Sequence, residues 1–94
     1  MKTYRVTEFT SPVPEKIVEA CESIKALVAT AGADRINVAD LGEGKGLVIA
    51  RYASQEKMET ATSVNQAAFG ELIKAGVIDA SSIKGRSGDL VFTF

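Results

Sequence analysis

The chain has 94 residues, 46% of them hydrophobic and 24% charged, with a formal net charge of −1. Those values fit one globular domain, residues 1–94, and exclude an intrinsically disordered chain, which has too little apolar content to offset its entropy. Lys and Arg are scattered without the basic stripe a nucleic-acid partner needs, and no apolar run approaches the ~20 residues that span a bilayer.

"KTYRVTEF" alternates Tyr4, Val6 and Glu8 with Arg5, Thr7 and Phe9, which predicts a strand. "TSPVP" ends it. Pro14 suits the first turn of a helix, where its missing N–H would have had no partner, and Glu15 follows where the helix dipole favours an anion. Ile17, Cys21, Ile24, Leu27, Val28 and Ala31 then fall on one helical face, and Gly32 is a stop signal. "ADRINVADLG" resumes alternation as a second strand.

"GEGKGLVIARYA" follows, and its three alternating glycines invite comparison with a phosphate-binding loop. Lys45 is followed by Gly46 rather than Ser or Thr. The third glycine of a dinucleotide fingerprint is replaced by Leu47. Both phosphate motifs also run into a helix, whereas "LVIARYA" is a strand pattern. The glycines therefore read as a hairpin turn between the second and third strands, where positive φ is needed. Ser54 is an N-cap with Glu56 in the first turn of a second helix that runs to about Ala75. Ala61, Val64, Ala68, Leu72 and Ala75 form its narrow apolar stripe, and Gly76 ends it. "VIDASSIKGRSG" reads as a loop or short turn and "DLVFTF" as the last strand.

The order β-α-β-β-α-β is the ferredoxin-like plan, an α+β domain with both helices on one face of a four-stranded antiparallel sheet. The third strand has apolar residues on both sides, Leu47 and Ile49 on one and Val48 and Ala50 on the other. A sheet face left bare by the helices should be polar in a monomer, so a second copy packed about a two-fold axis is the expected cover. Removing ~600 Å² of apolar surface per subunit would supply about 15 kcal/mol before the costs of association.

The element order, the length, and "GLVIARYAS" running into a helix with Glu56 resemble the dimeric α/β-barrel superfamily. Its members include antibiotic-biosynthesis-type monooxygenases, haem-degrading enzymes and many uncharacterised proteins. The resemblance implies a homodimer with a small cavity between helices and sheet in each subunit. Some cofactor-independent monooxygenases of this superfamily use an Asn and a Trp one turn apart on the second helix, with an Arg. Asn65 matches the first position, Phe69 stands at the second, and Arg86 is available as the third.

Other candidates come from the residues themselves. Arg51 can stabilise a ligand anion or enolate, or pair with Glu8 or Asp40. Tyr4 and Tyr52 can donate a hydrogen bond to a substrate oxygen, or act only as sheet residues. Lys84 and Arg86 in "KGRSGD" can close over an anion from a loop, or be solvated there. Cys21, without a basic neighbour, reads as an unreactive thiol. The chain has no histidine and one cysteine, so the commonest general base and zinc ligand are missing and no internal disulfide forms. No metal and no cofactor is expected. "MKTYRVTEF" lacks the apolar centre of a signal peptide, so secretion is not expected, and the single cysteine fits a reducing cytoplasm as the expected location. Three functions remain open: a small-molecule-binding homodimer, a cofactor-independent monooxygenase or isomerase acting on a small aromatic or enolisable compound, and a pure dimerisation module.

Overall fold

The computed structural model describes residues 1–94. Strand β1 covers Thr3–Thr10, β2 Arg35–Gly42, β3 Lys45–Tyr52 and β4 Lys84–Asp89. They form one antiparallel sheet in the order β2-β3-β1-β4. The first helical arm opens with a 3-10 turn at Pro14–Lys16. It continues as α1 (Ile17–Ser23) and α2 (Lys25–Val28), then closes with a second 3-10 turn at Ala29–Ala31. The second arm is α3 (Gln55–Thr60) followed by α4 (Thr62–Lys74). This is the ferredoxin-like α+β arrangement expected from the element order. No helix is long and apolar enough to cross a membrane.

Local signals act where the sequence places them. Ser54 is extended, and its side-chain oxygen accepts from the Lys57 backbone N–H, satisfying a donor the helix leaves free. Between β2 and β3 the backbone is left-handed at Gly42 (φ 85°), Glu43 (φ 57°) and Gly44 (φ 77°). Two consecutive positive φ values are what a tight hairpin needs to match strand twist. Gly44 is further constrained: a Cβ there would lie 2.7 Å from the Ser11 carbonyl oxygen. The turn between β2 and β3 is thus made by Gly42, Glu43 and Gly44, whereas Gly46, expected to belong to it, is already a residue of β3.

Strand parity divides the residues between two faces. Thr3, Thr7 and Phe9 of β1 and Gly46, Ala50 and Tyr52 of β3 are buried beneath the helices. Tyr4, Val6 and Glu8 lie opposite Arg51, Ile49 and Leu47 on the open face. The core has two parts. Phe9 packs with Ile17, Leu72, Val77 and Ile78, while Tyr52 packs with Ala31, Ala50, Met58 and Ala61.

The last strand differs from the expectation. It is "KGRSGD", paired residue by residue with β1 from Thr3↔Asp89 to Glu8↔Lys84. "DLVFTF" lies almost wholly beyond it, and Leu90–Phe94 have no regular structure. Lys84 and Arg86 are therefore strand residues, and no loop closes there. The region expected to be a loop or short turn holds a 3-10 turn at Ala80–Ser82, and it also supplies core, since Val77 and Ile78 are buried. Ala75, expected on the buried stripe, is exposed past the end of α4.

Candidate functional site

A cavity of about 190 Å³ lies between the first helical arm, α4 and the sheet. Cys21, Ile24 and Val28 form the helical-arm wall, and Ile36, Val38 and Val48 form the sheet wall. α4 supplies Ala68, Phe69 and Leu72, together with Asn65. Only two lining residues are strongly polar, Asn65 and Lys25, and Lys25 is exposed at the rim. A largely apolar space with few polar groups is how small-molecule sites are usually built.

Asn65 is held in place. Its side-chain amide Nδ2 donates to the Tyr52 hydroxyl at 3.0 Å. Tyr52 is completely buried, so its ring cannot swing away and the hydroxyl is a fixed post. An amide has two donors and an acceptor with two lone pairs. One bond to Tyr52 leaves Asn65 with hydrogen-bonding capacity at the cavity, and the tyrosine orients it. The two residues are brought together by α4 crossing β3. No local sequence signal links them.

Of the six candidate residues, Asn65 and Phe69 line the cavity and Tyr52 stands behind Asn65. Tyr4, Arg51 and Arg86 lie on the other side of the sheet, with Tyr4 opposite Arg51 and Val6 opposite Arg86. Within one subunit the sheet separates them from Asn65. Arg51 pairs with neither Glu8 nor Asp40; its Nε is 3.7 Å from Asp34, and that buried Nε makes no hydrogen bond. Lys2 also bonds Asp34. The hydrogen bond from Lys2 and then the charges of Lys2 and Arg51 hold the Asp34 carboxyl below its ordinary value, against the opposing effect of desolvation.

Cys21 is half-buried at the cavity wall. Burial, with a smaller contribution from the Glu22 charge, pushes its thiol pKa up. A thiol with a raised pKa is a poor nucleophile at neutral pH. Among cavity-lining residues the chain offers no carboxylate, so a proton acceptor of ordinary carboxylate strength is missing from this wall. No group of three or more His, Cys, Asp or Glu side chains is gathered to hold a metal ion.

No protein-family model matches the chain, and no curated protein sequence matches it significantly. Solved structures do match over nearly the full length. SnoaB, a cofactor-independent oxygenase from Streptomyces nogalater, is 13% identical, with 98% of this chain and 95% of that one covered and a TM-score of 0.75. An asparagine-to-alanine mutant of the same protein matches with a TM-score of 0.73. A protein of unknown function from Nitrosomonas europaea is 10% identical, with coverage of 99% and 92% and a TM-score of 0.76. A dimeric ferredoxin-like protein of unknown function from Thermobifida fusca is 14% identical, with coverage of 96% and 92% and a TM-score of 0.70. At these identities the likeness is one of fold: the chain shares its ferredoxin-like architecture with an oxygenase and with uncharacterised proteins alike.

Proposed function

We propose that the chain is a small-molecule-binding homodimer whose cavity takes a compact, mainly apolar aromatic molecule with one hydrogen-bonding group. The observation that carries this reading is the Asn65 amide, braced by the buried Tyr52 hydroxyl at the edge of an otherwise apolar space. A dry apolar cavity of ~150 Å³ holds a benzene ring, so about 190 Å³ suits one or two fused rings. Pairing is supported by the open face, where Val6, Ile49 and Leu47 form an apolar centre, and by the dimeric proteins that share the fold.

The test uses 1-naphthol as probe and Cys21 as reporter. Bound 1-naphthol should slow alkylation of Cys21, and Asn65→Ala should weaken binding about tenfold, the loss of one hydrogen bond of ~1.4 kcal/mol. No protection of Cys21 at millimolar 1-naphthol, with the wild type folded, would leave the cavity without a ligand role. The chain would then read as a dimerisation module.

A second reading, a cofactor-independent oxygenase, is favoured by Asn65 reaching the cavity in a fold that an oxygenase shares. Without a lining carboxylate or histidine, the substrate would have to ionise readily by itself. The Asn65 amide would hydrogen-bond the resulting enolate oxygen. An activated methylene plus O₂ then gives a carbonyl and one water, which balances without another reductant. With 2-tetralone as probe, this reading expects O₂ uptake matched one-to-one by diketone and abolished in Asn65→Ala. Uptake equal to the protein-free rate rejects it.

A further inference from the structure

The strand register gathers charges that the sequence keeps apart. Arg35 opens β2 and lies directly opposite Arg51 of β3. Directly opposed residues leave the same face of a sheet with Cβ atoms about 5 Å apart, and like charges so placed destabilise the pairing. Uncharged pairs follow along the same face, Asn37 opposite Ile49 and Ala39 opposite Leu47, so the repulsion is concentrated at one corner. β2 is an edge strand, which puts this corner at the rim of the open face, beside its apolar centre at Val6, Ile49 and Leu47.

The protein compensates these charges only in part. Asp34 is the one carboxylate in reach, and its Oδ2 bonds Lys2 while staying 3.7 Å from Arg51 Nε, beyond hydrogen-bond length. Arg51 Nε is shielded from solvent and has no partner, a costly state for a donor. The Arg51 side chain as a whole is still 35% exposed, and Arg35 is exposed and joins no ion pair. Three cations, Lys2, Arg35 and Arg51, against the single Asp34 carboxylate leave two positive charges unmatched.

We propose that this corner binds a phosphate group, free or in a small monoester, between the Arg35 and Arg51 guanidinium groups, with Lys2 as the third cation. Phosphate carries close to two negative charges at neutral pH, which matches the unmatched charge of the corner. Its oxygens are numerous enough to accept from both arginine forks at once, whereas a lone carboxylate is filled by one. The bound anion turns a repulsive cross-strand pair into a bridged one, so the ligand also stabilises the sheet. None of Lys2, Asp34, Arg35 and Arg51 lines the cavity beneath the helices, and the two sites are separate.

Thermal unfolding of the full chain tests it, with inorganic phosphate, phenyl phosphate or benzoate added to a phosphate-free buffer at matched ionic strength. Tm should rise saturably with either phosphate and far less with benzoate or chloride. Arg35→Gln should melt above wild type without ligand, because it removes the repulsion. Arg35→Gln and Arg51→Lys, which keeps the charge but loses the fork, should each weaken phosphate binding about tenfold or more. Lys84→Gln removes one charge from the far end of the same face and should bind phosphate like wild type. Binding of 1-naphthol by Arg35→Gln should match wild type, so failure here is distinct from failure of the cavity reading. Tighter binding of phenyl phosphate than of inorganic phosphate identifies an ester as the ligand, and equal affinity identifies free phosphate. A phosphate effect no larger than that of chloride, benzoate bound as tightly as phenyl phosphate, or equal weakening by Lys84→Gln and Arg35→Gln overturns the site.

Discussion

Replacing Gly46 with alanine should destabilise the domain severely, although glycine in a strand is ordinarily a weakness. A Cβ built on Gly46 would lie 2.6 and 2.7 Å from the Phe9 Cε1 and Cε2 atoms and closer still to Cζ. Comfortable contact begins near 3.4 Å. The Phe9 ring tip would have to retreat by more than an ångström. It is 3% exposed and packed among Ile17, Leu72, Val77 and Ile78, so the retreat pushes into filled space. Overpacking a core costs ~1–3 kcal/mol, and expelling the ring altogether costs ~3–5 kcal/mol, as for Phe→Ala. The expected loss is therefore about 3 kcal/mol, a fall in Tm of roughly 15 °C for a domain this size. Urea unfolding followed by circular dichroism measures it, with an unchanged m value confirming a stability effect. Adding Phe9→Leu shortens the obstructing side chain and should recover more than ~1 kcal/mol relative to the sum of the single changes. A Gly46→Ala protein within 0.5 kcal/mol of wild type, or strict additivity with Phe9→Leu, would refute the steric argument.

Three other outcomes are expected. Tyr52→Phe should lose about 1 kcal/mol, and in an Asn65→Ala background the same change should cost much less; equal costs in both backgrounds would show that the 3.0 Å bond contributes nothing. The lowered Asp34 pKa adds stability that is present above the ordinary carboxylate value and disappears as pH falls through the lower folded value. Lys2→Met should flatten the acid limb of the stability curve, and an unchanged limb contradicts the assignment. The raised Cys21 pKa has the opposite sense: its contribution is complete below the unfolded thiol's value and is lost as pH rises through the folded one. Alkylation of native Cys21 at pH 8 should accordingly be slower than in the urea-unfolded chain, and equal rates would mean the thiol is neither buried nor shifted.

The elements legible in the sequence are those whose causes are local. Gly42 and Gly44 declare a turn because the backbone there needs positive φ, and Ser54 declares a helix start because its hydroxyl is the right length to reach Lys57 N–H. β4 was not legible for the complementary reason. "KGRSGD" is an edge strand whose side chains are all exposed, so hydrophobic alternation has no purpose there and β propensity is weak. What selects it is register against β1, a relation between residues more than 70 positions apart. "DLVFTF" shows the converse: strand chemistry without a strand beside it in the same chain.

The candidate site divides along the same line. That Arg51 and Tyr52 face opposite ways follows from the two-residue period of a strand, so the separation of Arg51 from the helical side was available by counting. The pairing of Asn65 with Tyr52 was not, since it depends on how α4 sits across β3. Asn65 interrupts no pattern and, taken by itself, is an unremarkable polar residue beside an apolar stripe. Its significance comes from a neighbour that cannot move. A buried tyrosine hydroxyl needs a hydrogen-bond partner, and the amide that satisfies it is thereby fixed in direction. The same bond serves stability and preorganises the cavity's polar edge. For that reason Tyr52→Phe is more informative than Asn65→Ala: it leaves the amide in place and removes only what aims it. If 1-naphthol binds Tyr52→Phe as tightly as wild type, the amide's orientation is irrelevant to recognition. If affinity falls with Asn65 still present, the tyrosine acts as a positioning residue.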